Sequence, residues 1–173
     1  MRLPVLLALA TLPACVSQVM PLLPAPALGE VRAGLPVDVV TKMAGAQDPL
    51  AVQGNSWKFS ELEHAVARST LLAIQPWAAT NRNESWQLQV ELIKSGAVLS
   101  EHRLQVSLGV RATLRKVAGQ VFVGQTQTFC ETSGVVQDES EGREVLWRCI
   151  SRLSGNLAGW LNGNDPGHLA PEQ

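Results

Sequence analysis

Three cysteines carry most of the reactive chemistry in this sequence, and they fall in two settings. Cys15 follows a short apolar run near the start, whereas Cys130 and Cys149 lie far downstream, 19 positions apart. In an exported domain two such thiols point to a disulfide, the alternative being two separate buried thiols. Closing a loop of about 20 residues would stabilise the fold by about 3 kcal/mol on the chain-entropy estimate. A catalytic thiol would need a histidine beside it, and the pattern places neither His64 nor His102 near either cysteine. Ser60-Glu61-Leu62-Glu63-His64 gathers two carboxylates and an imidazole, but Ser60 and Glu63 have the spacing of a helix capping box on a solvated face. Glu91, Glu101 and His102 fall on strand or turn positions facing water, and Asp38, Asp48 and Asp138 read as turn or cap residues. The chain contains no G-x-S-x-G elbow, H-E-x-x-H pair or phosphate-binding glycine loop. The expectation is a non-enzyme with no metal and no cofactor. Trp77, just past the first helix, and Trp147, on the last, are the candidate partner contacts, because exposed tryptophans often anchor interfaces.

A chain of 173 residues, 46% of them apolar, can bury one core. Fourteen basic residues against fifteen acidic ones leave a net charge of -1, which gives no electrostatic footprint for nucleic acid. The charged fraction, 17%, is too low for a disordered chain of this apolar content.

Met1-Arg2 supplies one positive charge, and Leu3 to Leu12 is an apolar run far shorter than the roughly 20 residues a membrane-spanning helix needs. Residues 1–14 therefore read as a removable secretion signal. Leu12-Pro13-Ala14-Cys15 resembles the lipobox of bacterial lipoproteins. The resemblance implies that the Cys15 thiol receives a diacylglyceryl group, that the signal is cut before it, and that the new amine is acylated. Several acyl chains suffice for stable anchoring where one would be marginal. Ala25-Pro26-Ala27 offers a competing site for ordinary signal cleavage, which would release a secreted protein. Val16 is not acidic, and the lipoprotein resemblance then implies transfer to the outer membrane. Removal of Arg2 with the signal leaves thirteen basic against fifteen acidic residues, a mature charge of -2. Residues 15–36 hold Pro21, Pro24, Pro26 and Pro36 and read as a semi-rigid tether whose apolar residues rest on headgroups or on the domain.

Residues 37–163 read as a single domain, followed by a loose tail over 164–173. Val37, Val39 and Val40 mark a first strand, and Ala44 to Pro49 a turn. Leu62, Ala65, Val66, Ser69, Leu72 and Ala73 recur at helical spacing from Ser60 to about Gln75, where Pro76 stops the run. From Trp86 the period becomes two, through Leu88, Val90 and Leu92, with a turn at Lys94-Ser95-Gly96. Leu104 to Arg115 gives a further strand, Lys116 to Gly119 a tight turn, and Gln120 to Cys130 another strand. The acidic stretch Gln137 to Glu141 opens a last helix whose apolar stripe runs from Val145 to Leu161.

Two helices with one apolar stripe each and a sheet with one apolar face bury all three surfaces by stacking in two layers. The predicted fold is α+β, an antiparallel sheet with two helices on one face in the order β-α-β-β-β-α. Asn55-Ser56-Trp57 before the first helix, Leu114-Arg115-Lys116-Val117-Ala118-Gly119-Gln120-Val121 at the hairpin, and the terminal amphipathic helix together resemble the ABC-type transport auxiliary lipoprotein family over residues 37–162. That family has no catalytic residues to carry over. The resemblance implies an outer-membrane lipoprotein facing the periplasm, a non-catalytic accessory to an MCE-type intermembrane lipid transporter, bound to envelope transporter proteins through a sheet edge or helix face. A lipoprotein that assists assembly of an outer-membrane barrel or secretion complex is the alternative with the same anchor and fold. A lipid ligand would need an apolar cavity between helices and sheet.

Overall fold

In the computed structural model the described residues are 19–21 and 36–163. In chain order they form β1 (Val19–Pro21), β2 (Val37–Met43), β3 (Leu50–Gln53), β4 (Lys58–Ser60), α1 (Leu62–Thr80), β5 (Trp86–Ser100), β6 (Arg103–Lys116), a short 3-10 turn (Ala118–Gln120), β7 (Val121–Val135) and α2 (Glu139–Leu161). The architecture is the two-layer α+β sandwich that the amphipathic patterns predict. The sheet itself is mixed, because its N-terminal strands join in parallel.

β5 is the central strand. One edge pairs antiparallel with β6 from Trp86↔Lys116 to Ser100↔Arg103. Its other edge is shared: β2 runs parallel along Trp86 to Leu92, and β3 runs parallel against Ala97 and Val98. β4 then pairs antiparallel with β3, and β1 lies parallel on β4, with Val19 opposite Lys58. On the far side β7 pairs antiparallel with β6 and closes the sheet. The turn expected at Lys94-Ser95-Gly96 is absent, since β5 continues through it to Ser100. A register shift between Leu92 and Lys94 explains the misreading: Ile93 is the extra residue of a bulge, so the alternation changes phase there without the strand ending. The chain reverses at Glu101-His102 instead, where both residues have positive φ, 48° and 60°. Two such residues between paired strands make a primed turn, whose twist matches that of a hairpin.

The cap position expected at Ser60 falls one residue later. Ser60 ends β4, and Glu61 takes the cap position in the left-handed conformation without a side-chain cap bond. Glu63 accepts instead from the Thr41 hydroxyl on β2, at 3.1 Å. Pro76 does not stop α1, which continues to Thr80. Proline removes a hydrogen bond to the carbonyl four residues back, and here both Pro76 and Leu72 face solvent, so water can satisfy the freed Leu72 oxygen. Burial of Trp77 and Ala78 one turn later favours continuation.

Asp138 caps α2 through its carboxylate, which accepts from the Glu141 amide at 3.0 Å, while Glu141 accepts from the Gln137 amide at 2.6 Å. These reciprocal bonds satisfy helix-end donors and set negative charge at the positive end of the dipole. Asp138→Ala should cost about 1 kcal/mol, read as a lower denaturation midpoint with an unchanged m-value.

Leu88, Leu92, Leu104 and Leu108 from the sheet and Leu71, Ile74, Leu146, Ile150, Leu153 and Leu157 from the helices form one fully buried core. The Thr70 and Ser154 hydroxyls, both buried, meet at 3.5 Å between the helices. Gly142 lies where α2 packs on Trp57 and Phe59: a Cβ there would stand 3.2 Å from the Trp57 ring and 3.3 Å from Phe59. Gly142→Val should therefore overpack the core and destabilise by about 2 kcal/mol in chemical denaturation, with no change of fold by circular dichroism.

Candidate anchoring and interaction surfaces

Cys15 lies outside the described residues, and β1 begins four positions after it. Val19 is held beside Lys58, and the four residues from Cys15 span at most about 14 Å. The stretch read as a tether thus contains a strand, β1.

Cys130 on β7 and Cys149 on α2 are bonded to each other, with Cα atoms 5.6 Å apart, an ordinary disulfide span. Both side chains are buried, so the bridge pins the helix to the last strand from inside the core. Beside it, the Asn156 side-chain amide donates to the Thr128 hydroxyl at 2.8 Å.

The two tryptophans proposed as contacts differ. Trp77 is a core residue, 8% exposed, and this removes it as a surface anchor. Because α1 runs past Pro76, the ring turns inward and meets Trp86 edge-on, with centroids 5.4 Å apart at 61°. Trp86 in turn donates to the Asn81 carbonyl at 3.3 Å, and the Lys116 ammonium lies 5.3 Å from its ring centre while bonding Glu84 at 2.8 Å. Trp147 is half-buried against the core from α2, leaving part of its ring accessible.

The other chemistry-bearing residues remain scattered. His64 is exposed on α1, and Glu101 and His102 form the exposed turn between β5 and β6. Glu91 is engaged on the open face of the sheet by Arg111 at 3.4 Å. Among the described residues no three His, Cys, Asp or Glu side chains converge as metal ligands, and no helix is long and apolar enough to cross a membrane. A depression of about 430 Å³ opens at the β6–β7 end, lined by Asn83, Glu84, Ser85, Lys116, Val117 and Ala118. It lies outside the space between helices and sheet, where a lipid ligand would need its apolar cavity.

The surface that sequence reading missed is β7. Val121, Phe122, Val123, Phe129 and Val135 are between 47% and 68% exposed, a concentration of large apolar groups on one strand. Its signal was present in the unusually apolar start Val121-Phe122-Val123, which a buried strand would also show. Phe129 lies across Gly109 on the neighbouring strand, where an added Cβ would come within 2.7 Å of the ring.

No family model matches the sequence, and no curated protein matches it. Among solved structures, the chain is similar to protein XCC0632 from Xanthomonas campestris, of family DUF330, with a TM-score of 0.52 at 9% identity, over 70% of this chain and 81% of that one. Looser likenesses are to a lipoprotein candidate from Caulobacter crescentus (TM-score 0.45, 12% identity, 76% of this chain and 94% of that one) and to a minor lipoprotein from Acinetobacter baumannii (TM-score 0.41, 7% identity, 73% and 93%). The likeness to XCC0632 establishes a shared two-layer α+β fold.

Proposed function

We propose that this chain is a lipoprotein anchored through Cys15 to the outer membrane, facing the periplasm and serving as a non-catalytic accessory of an ABC/MCE-type intermembrane lipid transport system. The observation that carries the reading is Leu12-Pro13-Ala14-Cys15 closing a short apolar run behind a basic residue. The position of β1 supports it, because a strand beginning four residues after an acylated cysteine couples the domain closely to its anchor. The fold shared with XCC0632 agrees with it, as do the family likenesses at Asn55-Ser56-Trp57 and Leu114 to Val121. Accessory work of this kind needs surfaces, and the half-buried Trp147 and the apolar edge strand supply them.

The test is affinity purification of the full chain from detergent-solubilised membranes of its native host. The reading expects co-recovery of a permease, an ATPase or an MCE-domain protein. Recovery of barrel or secretion components without any transporter component would overturn the transport role.

A further inference from the structure

Both helices pack on one face of the sheet, and the described residues leave the other face open. Strand alternation and register put Phe122, Phe129 and Val135 of β7 and Val98 of β5 on that open face. All four are exposed, and they include the two phenylalanines that lie outside the core. Each of the three on β7 has a cation beside it. Arg115 stands opposite Phe122 and Arg103 opposite Val135, while Lys94 and Phe129 flank Gly109 from its two sides. From Phe122 to Val135 the row runs over about 40 Å.

The charge of this face is opposite to that of the rest. Lys42 and Arg111 join the three cations already named, against Asp38, Glu91 and Glu131, a net of +2. Residues 36–163 hold twelve basic and twelve acidic residues, so all their other surfaces together carry -2. Two of the acids are engaged within the face, Glu91 by Arg111 at 3.4 Å and Glu131 by Lys94 at 3.7 Å. Asp38 lies two strands from Arg115, about 10 Å away. Lys42, Arg103 and Arg115 have no acidic partner among the described residues.

At one end of the row the β6–β7 hairpin closes in an apolar tip. Residues 117–123 read Val-Ala-Gly-Gln-Val-Phe-Val, all exposed, where turns usually carry Asn, Asp or Ser. Trp160, the last buried side chain of α2, covers Gly124, so the tip lies past the helical layer.

We propose that the open face of the sheet lies on an anionic lipid surface, with the tip at 117–123 and the Phe122 ring entering the headgroup region. A straight row of apolar side chains with cations beside them suits a plane whose outer layer is anionic and whose interior is apolar, as on an interfacial helix. Long cationic side chains lie along the sheet and reach phosphates while the rings go deeper. The inference rests on the lipoprotein reading for the presence of a bilayer, and it adds which face meets that bilayer.

The test places the full chain in vesicles of phosphatidylcholine alone or with phosphatidylglycerol, both carrying bromine on the acyl chains near the headgroups. Two variants carry the probe, Phe122→Trp at the tip and Leu72→Trp at an exposed position of α1, and fluorescence quenching is read as the difference from the unsubstituted chain. With phosphatidylglycerol present, Phe122→Trp should be quenched and Leu72→Trp should not. Adding Arg103→Gln and Arg115→Gln to Phe122→Trp should lower the ratio of docked to undocked domain about tenfold, with the melting temperature unchanged because both arginines are exposed. Equal quenching at the two positions would overturn the proposal, as would equal quenching of Phe122→Trp on neutral and anionic vesicles. So would shielding of Phe122→Trp only after envelope proteins are added. An unacylated mature terminus would sink the lipoprotein reading, while the vesicle comparison would still decide this one.

Discussion

Phe59→Ala is expected to lower the unfolding free energy by about 4 kcal/mol, near the top of the range for a single core truncation. Phe59 has no exposed surface, pairs with Leu50 across the β3–β4 ladder, and sits against α2 where Gly142 admits its ring. The cavity cannot close easily, because Trp57 and Leu104 flank the same spot and β4 is only three residues long. Strand β1 rests on β4, so the loss should loosen the attachment of the chain's start before the rest unfolds. Chemical denaturation would give the free energy, and hydrogen exchange should show the β4 amides exposed first. A loss under about 1.5 kcal/mol would mean that Phe59 is not a core residue.

Breaking the Cys130–Cys149 bridge is expected to cost about 3 kcal/mol, which for a domain of this size lowers the melting temperature by roughly 10 °C. The reasoning concerns the unfolded chain: a bridge across 19 positions removes conformations that the reduced chain would regain. The bridge also joins α2 to the strand at the sheet's edge, so its loss should be felt most in β7. Thermal melts of the intact protein with and without reductant measure the effect, and the Cys130→Ala/Cys149→Ala double variant should melt near the reduced protein and ignore reductant. Equal melting temperatures in all four samples would contradict the pairing.

Much of this fold was legible because its main elements bury one face each. The stripe from Val145 to Leu161 and the alternation of Leu104, Val106, Leu108 and Val110 predict α2 and β6 closely, and the acidic start of α2 does cap it. What escaped was set by tertiary context. β3 and β4, four and three residues long, carry too few alternations to stand out beside Asp48-Pro49 and Gly54-Asn55-Ser56. A bulge at Ile93 disguised the continuation of β5, and solvent beside Pro76 let α1 run on and draw Trp77 into the core. The disulfide was legible from the expectation of export and the two cysteines left beyond Cys15. The exposed edge was not, since Val and Phe in a strand look the same whether a neighbouring strand covers them or water does.

The proposed function depends most directly on Cys15, and mass spectrometry of the mature protein from membranes, paired with fractionation of Cys15→Ser, addresses it in one experiment. The expected result is an N-terminal peptide beginning at Cys15 with the mass of an acylated diacylglyceryl-cysteine, and a Cys15→Ser protein that retains its signal or fails to gain lipid. An unmodified mature terminus following Ala27, or a Cys15→Ser variant that matures to the same size and still fractionates with membranes, would contradict the account.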